Sequence, residues 1–330
     1  MRAHRLLPTA PAAVAALALL GLATPAVAVP AAVDGSVPTA DVAGATAAEG
    51  PGTAPLPGTA DVRAAVPGGH IPLEGTVNTR DLGGYSTVTG HQIRDGVLFR
   101  SDSLGKLTDN GVTALSRLGL RTVIDFRTPF EIQYDKPDRL PPGLTATARP
   151  VSDNGSYRLL LDAIGSRDPQ VQQEMLGDGK AEAAMHEIYR TFVTNADSRA
   201  AFGATLRQIA EGPANAPLLF HCTSGKDRTG WMSYALLRLL GVPAATAQQD
   251  FLHSNTLRAE SDRKAREYLK ESGAMQNPDL IIPLQEVRTA YLDTALAEIR
   301  HTYGTFTRYA VEGLGVDLPT LQRLRARLLR

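Results

Sequence analysis

The sequence predicts an α/β protein with a mostly parallel central sheet flanked by helices. Its C-terminal part is helical and is placed to form a lid. Three observations carry this expectation. Short apolar runs rich in β-formers alternate with helical patterns along most of the chain. After Pro243 the pattern turns mainly helical. Between the two halves the buried-strand run Leu218-Leu219-Phe220 leads, through a tight polar loop, into the best-defined helical pattern.

Residues 1–28 read as a secretory signal. Arg2, His4 and Arg5 form a basic start, residues 14–23 an uncharged apolar run, and Ala26-Val27-Ala28 a small-residue cleavage site. The apolar run is about half of the roughly 20 residues that span a bilayer, and Pro11 and Pro25 bracket it. Sec-type export follows as the expectation, to a secreted or extracytoplasmic location, with no stable membrane anchor after cleavage. No Arg-Arg pair and no cysteine at the cleavage point support another export route. Residues 29–70 are rich in Ala, Gly, Pro and Thr and hold no aromatic residue. Such a segment cannot bury enough apolar surface to offset its chain entropy, so it reads as a disordered spacer. The folded domain is then expected over residues 71–330.

Within it, strands are expected at 97–100, 122–126, 145–151 and 217–221. Helices are expected at 108–118, 181–193, 198–211 and 229–240. In the last, Met232, Ala235, Leu236 and Leu239 fall on one face, and Gly241 and Pro243 stop it. Further helices at 248–257, 260–270, 284–303 and 318–329 are expected to pack around the sheet.

Composition narrows the function. The 34 basic and 34 acidic residues cancel formally, which argues against nucleic acid as a partner. The 43% hydrophobic content suffices for a core, and a single cysteine excludes disulfides, a CxxC pair and multi-cysteine metal sites. Cys222 is therefore either an ordinary buried residue or a reactive one.

Cys222 opens the strand-to-helix loop His221-Cys222-Thr223-Ser224-Gly225-Lys226-Asp227-Arg228-Thr229-Gly230. A loop wrapped over a helix N-terminus points several N–H groups into one concavity, and the helix dipole adds positive potential. Gly225 permits the sharp turn and close approach to a ligand. A thiolate at the floor of such a cradle is stabilised. Arg228 can return a two-pronged guanidinium to the same anion. A thiolate, a nest of donors and an arginine fork are what attack on a phosphate monoester requires. An ATP-binding loop does not fit, because Gly225-Lys226 is followed by Asp and the upstream glycine is missing. A cysteine protease does not fit either, because adjacent His221 would point to the opposite side of its strand.

His221-Cys222-x5-Arg228-Thr229 resembles the signature of the cysteine-dependent protein tyrosine phosphatase superfamily. With Lys226-Asp227 it is most similar to the bacterial tyrosine-protein phosphatases that include secreted, triple-specificity members. Asn78 to Tyr85, Val97 to Ser101 and Val123 to Arg127 with Glu131 resemble other segments of that family in the expected order. So do Asp250 to Leu252 and the run from Tyr303 to Leu329.

The resemblance implies a phosphatase over 71–330 that needs no metal and no cofactor. Cys222 would be the nucleophile, and Thr223, Ser224, Gly225 and Arg228 would bind phosphate. Thr229 would hydrogen-bond the thiolate, and His221 would orient and stabilise the loop. Lys226 reads either as a rim cation for a polyanion such as a phosphoinositide or as a solvated charge. Asp227 is the first choice of general acid, because similar members carry the acid inside the loop. Asp125, at the end of an expected parallel strand, is its rival, with a salt bridge to Arg127 or Arg80 as its alternative role. Arg80 and Asp81 read as scaffold. Phosphotyrosine in proteins is the leading substrate, a phosphoinositide or inositol phosphate the rival, and a silent phosphate-binding module the remaining alternative.

Overall fold

The computed structural model describes residues 67–213 and 216–330. The expected signal, and the spacer as far as Val66, lie outside the described residues. The last spacer positions belong to the fold: Gly69 accepts a hydrogen bond from the Asp81 amide, and His70 bridges Arg80. Composition alone missed this join, because it rests on backbone pairing that a Gly-Gly-His sequence permits without advertising.

Five strands form one sheet: β1 (Arg80–Asp81), β2 (Leu98–Ser101), β3 (Thr122–Asp125), β4 (Ala146–Ala148) and β5 (Leu218–His221). Their order is β1-β2-β5-β3-β4. Only β1 runs antiparallel to its neighbour. The last-formed strand, β5, lies at the centre. Ser101, His221 and Asp125 stand level at the C-terminal ends of β2, β5 and β3. Parallel strands gather functional groups at that edge. The expected strand 145–151 shortens to three exposed residues, because β4 is an edge with one partner.

One face of the sheet carries α1 (Asp109–Ser116), begun by Thr108, whose hydroxyl accepts from the Gly111 amide. Leu115 of that helix packs with Phe99, Val123 and Leu219. The larger core on the other face gathers α5 (Lys180–Thr194), α6 (Ala196–Glu211) and α7 (Arg228–Leu240) with Phe126 and Phe220. The single buried face expected for α7 becomes burial of every residue except Arg238, because neighbours cover it all round.

Before the Cys222 loop, three helices were not foreseen: α2 (Pro129–Asp135), α3 (Ser156–Ser166) and α4 (Pro169–Leu176). The start of α2 was legible. Thr128 and Glu131 cap each other reciprocally, and Pro129 opens the first turn. The helices expected at 248–257 and 260–270 are one, α8 (Ala244–Glu271). The segment 284–303 divides into α9 (Ile282–Gln285) and α10 (Thr289–Tyr303). After α11 (Phe306–Arg308) and a π-turn, α12 (Leu318–Leu328) packs on α6, and Arg330 exchanges two backbone bonds with Gln92. No helix among the described residues is long and apolar enough to cross a membrane.

Candidate active site

Cys222 follows the last residue of β5 and lies six positions before the first turn of α7 proper, at 1% exposure. The loop between them is held by its carbonyl groups. Ser103 N–H donates to Thr223 O at 3.1 Å. The Asn78 side-chain Nδ2 donates to Ser224 O at 3.1 Å, and the Arg258 guanidinium to the same oxygen at 3.3 Å. Arg100 donates to Gly225 O at 2.7 Å. With these oxygens pulled outward, the peptide planes turn their N–H sides toward the concavity above Cys222. Gly225 makes the turn at φ 64°, where a Cβ would meet Asp102 N and Ser101 O at 2.6 Å.

The residues that pull the loop are themselves fixed. Arg100 and Arg80 share Asp250, at 2.6 and 3.4 Å, with all three side chains fully buried. Burial raises the Asp250 carboxyl, but the two guanidinium groups outweigh it and hold it below its ordinary value. Asp102 accepts from the Val77 and Asn78 amides at 3.0 and 3.1 Å, which seats the 76–80 segment beneath the loop. Burial dominates there and raises Asp102.

The arginine fork is in place. Arg228 donates through both terminal nitrogens to Glu131 on α2, with Nη1 at 2.6 Å from Oε2. Glu131 also accepts from the Thr223 hydroxyl at 2.6 Å. Burial pushes the Glu131 carboxyl up, but Arg228 and Thr223 outweigh it and bring it down to about 2. Arg228 rises well above its ordinary value against that carboxylate.

His221 is fully buried. Its Nε2 lies 2.9 Å from Asp138 Oδ2 and its Nδ1 3.3 Å from the carbonyl of Cys222. Burial lowers it, but Asp138 and Asp125 outweigh burial and raise it above 6.5. Asp125, Asp138 and His221 stand as close together as a metal-ligand set would. A guanidinium occupies that place, because Arg127 reaches Asp125 at 2.8 Å and Asp138 at 2.6 Å.

Asp125 takes the alternative role, the salt bridge to Arg127: it stands at the strand end with both oxygens engaged and does not line the cavity above Cys222, so it is not placed as the general acid. Two other expectations need correction. Lys226 lines the cavity, but it is neither solvated nor a free cation there. Its side chain is 2% exposed and turns onto Asp227, at 2.8 Å from Oδ2 and 3.0 Å from Oδ1. The Thr229 hydroxyl is buried without a hydrogen-bond partner, so its expected bond to the Cys222 sulfur is not formed.

The structure brings Cys222, Thr223, Ser224, Lys226, Asp227 and Arg228 to one cavity. Glu131, Asp138 and Arg258, which support the loop, and Tyr189, whose hydroxyl donates to Asp227 Oδ1, escaped the sequence reading as site residues. Only Glu131 had a local signal, the capping box. The cavity's apolar wall comes from Tyr157 and Leu160 of α3, Met185 and Ile188 of α5, and Leu284 of α9. The covering is therefore shared between the middle of the chain and the C-terminal tail.

A mostly parallel sheet whose central strand delivers a buried thiol beneath a loop with outward-held carbonyls, beside a paired arginine fork, is the architecture of a protein suited to a tetrahedral oxyanion. Comparison with known proteins gives that class its family. Residues 71–330 match the tyrosine phosphatase family. A triple specificity protein phosphatase, PtpB of Mycobacterium tuberculosis, is 30% identical over 273 residues, covering 76% of this chain and 96% of that one. A tyrosine-protein phosphatase of Nostoc commune is 30% identical over 237 residues, 69% of this chain and 73% of that one. A relative from Cupriavidus necator, provisionally named a tyrosine-protein phosphatase, is 32% identical over 248 residues, 74% of this chain and 84% of its own. The chain belongs to the tyrosine phosphatase family, and it is a protein-tyrosine phosphatase.

Proposed function

We propose that this phosphatase acts through a cysteinyl-phosphate on Cys222, with phosphotyrosine in proteins as its preferred substrate. The Cys222 thiolate attacks phosphorus and the bond to the leaving oxygen breaks. Asp227 gives its proton to that oxygen. Water then attacks the phosphocysteine, Asp227 takes the water's proton, and phosphate leaves with the thiolate restored. The loop amides and Arg228 hold the non-bridging oxygens through both steps. The observation that carries this reading is the loop around Cys222, whose Thr223, Ser224 and Gly225 carbonyls are drawn outward by partners distant in sequence.

The charge of the cavity favours a single phosphate on an apolar carrier. Six carboxylates and four cations line it. Each cation faces a carboxylate: Lys106 with Asp135 at 3.1 Å, Arg258 with Asp262 at 2.7 Å, Lys226 with Asp227, and Arg228 with Glu131. A headgroup bearing several phosphates would meet little uncompensated positive charge. An aromatic ring would meet Tyr157, Leu160, Met185 and Ile188. The expected leader at 1–28 supports the further proposal that the enzyme works outside the cytoplasm.

A phosphate-release panel tests the substrate and the nucleophile together, across phosphotyrosine and phosphoserine peptides and phosphoinositides at one enzyme concentration. Phosphotyrosine should be fastest, and Cys222→Ser should abolish release. Faster release from phosphoinositides would replace the substrate reading, and activity in Cys222→Ser would remove the mechanism. The relative named for triple specificity is the reason the panel is broad. Fractionation of cells for the processed chain tests export.

A further inference from the structure

Asp227 is held by two side chains of different character. Lys226, its chain neighbour, reaches both carboxylate oxygens and also the Glu286 carbonyl at 3.4 Å. Tyr189, from the middle of α5, donates its hydroxyl to Oδ1 alone, at 3.0 Å. Tyr189 is fully buried, whereas the Asp227 side chain keeps 19% exposure toward the cavity.

The tyrosine has little freedom. Its ring packs against Phe192, Phe251 and Tyr291, with centroids 5.1, 6.0 and 5.9 Å away. Burial and the adjacent carboxylate push its ionisation well above the ordinary value, so the hydroxyl stays a donor. The lysine differs: its stem has four rotatable bonds, and its ammonium can follow the charge of an arriving phosphate.

We propose that Tyr189 is a positioning residue that fixes which oxygen of Asp227 carries the proton. An aspartate carboxyl rotates over a broad range about its last torsion, and its two oxygens are chemically equivalent until something distinguishes them. The Tyr189 hydroxyl does so. With Oδ1 engaged as an acceptor, a proton on Oδ1 would face the tyrosine hydrogen, and the proton is directed to Oδ2. Oδ2 then donates to the leaving oxygen and later accepts a proton from the attacking water. Lys226, now the partner of Oδ2 at 2.8 Å, must move toward the phosphate charge as this oxygen becomes protonated. The other groups facing the carboxylate are Arg258 on α8 and Tyr291 on α10, which act on it through their fields. The inference rests on Asp227 being the general acid.

The test compares kcat/KM of Tyr189→Phe on phenyl phosphate, a poor leaving group, and on p-nitrophenyl phosphate, an activated one. Inhibition by vanadate is measured alongside. Phenylalanine keeps the ring that fills the aromatic cluster, so the core is preserved. A lost hydrogen bond to the protonated carboxyl predicts a loss of up to about tenfold on phenyl phosphate. The activated ester should lose no more than about twofold, because it needs little protonation. Vanadate inhibition should be unchanged, because the loop that holds the anion does not use the hydroxyl. Equal losses on both esters, weaker vanadate inhibition, or no loss on either would overturn the proposal. Asp227→Asn serves as the reference. If it fails to separate the two esters, the general-acid reading falls. If it separates them and Tyr189→Phe does not, only the positioning role falls.

Discussion

Glu131 stands behind the arginine fork, and its replacement by glutamine tests how that fork is held. The substitution keeps the shape and removes one charge facing a largely buried guanidinium. Its cost can be worked from the carboxyl, which falls from 4.5 to about 2 in the folded protein. At about 1.36 kcal/mol for each unit, this is on the order of 3 kcal/mol, the lower edge of what breaking a buried ion pair costs. The sign follows from the depressed value. The contribution is fully present above pH 4.5 and is lost as the pH falls toward about 2. Urea unfolding of parent and Glu131→Gln near neutral pH should therefore differ by about 3 kcal/mol, and the gap should shrink on acidification through that window. Vanadate should stabilise the variant more than the parent, because a bound anion supplies the missing counter-charge. Equal stability at neutral pH, or a gap indifferent to acid, would refute this account of the fork.

Two other substitutions probe the loop from opposite sides. Gly225→Ala should cost about 1–2 kcal/mol for its left-handed backbone alone. It should also displace the loop from the Asp102 and Ser101 backbone, so vanadate binding should weaken along with the melting temperature; normal binding would show that the close approach is not needed. Asp138→Asn removes the main support of the raised His221. That support stabilises the protein below pH 6.5 and is lost as the pH rises through the raised value. The variant's melting temperature should accordingly fall less over the same rise in pH, and an unchanged slope would dismiss the pair.

What the sequence made legible was local. The strand-loop-helix around Cys222 is one contiguous stretch, residues 218–240, and its apolar run, turn glycine and helical period each leave a mark in the order of the letters. The central place of β5 was not legible, since it depends on pairing with strands more than 90 residues earlier. Asp125 and Lys226 stayed open for a different reason. Their residue types suit chemistry or recognition, and only side-chain geometry shows that their near neighbours in the chain, Arg127 and Asp227, satisfy them. The support from Tyr189 and Arg258 is still harder to see. A tyrosine in a helix reads as core, and only the tertiary approach of α5 shows that its hydroxyl ends on a carboxylate.

The outward-drawn carbonyls of the loop bear on how portable this site is. Asn78, Arg100, Ser103 and Arg258 reach it from three widely separated stretches of chain, and Arg100 relies in turn on Asp250. The loop therefore cannot open without dismantling contacts that also join the sheet to α8. The Ser103 amide, which donates to the Thr223 carbonyl, should exchange with solvent only as slowly as this support opens. Transplanting the ten-residue signature to another strand–helix junction would carry the thiol and the arginine but leave the cradle behind.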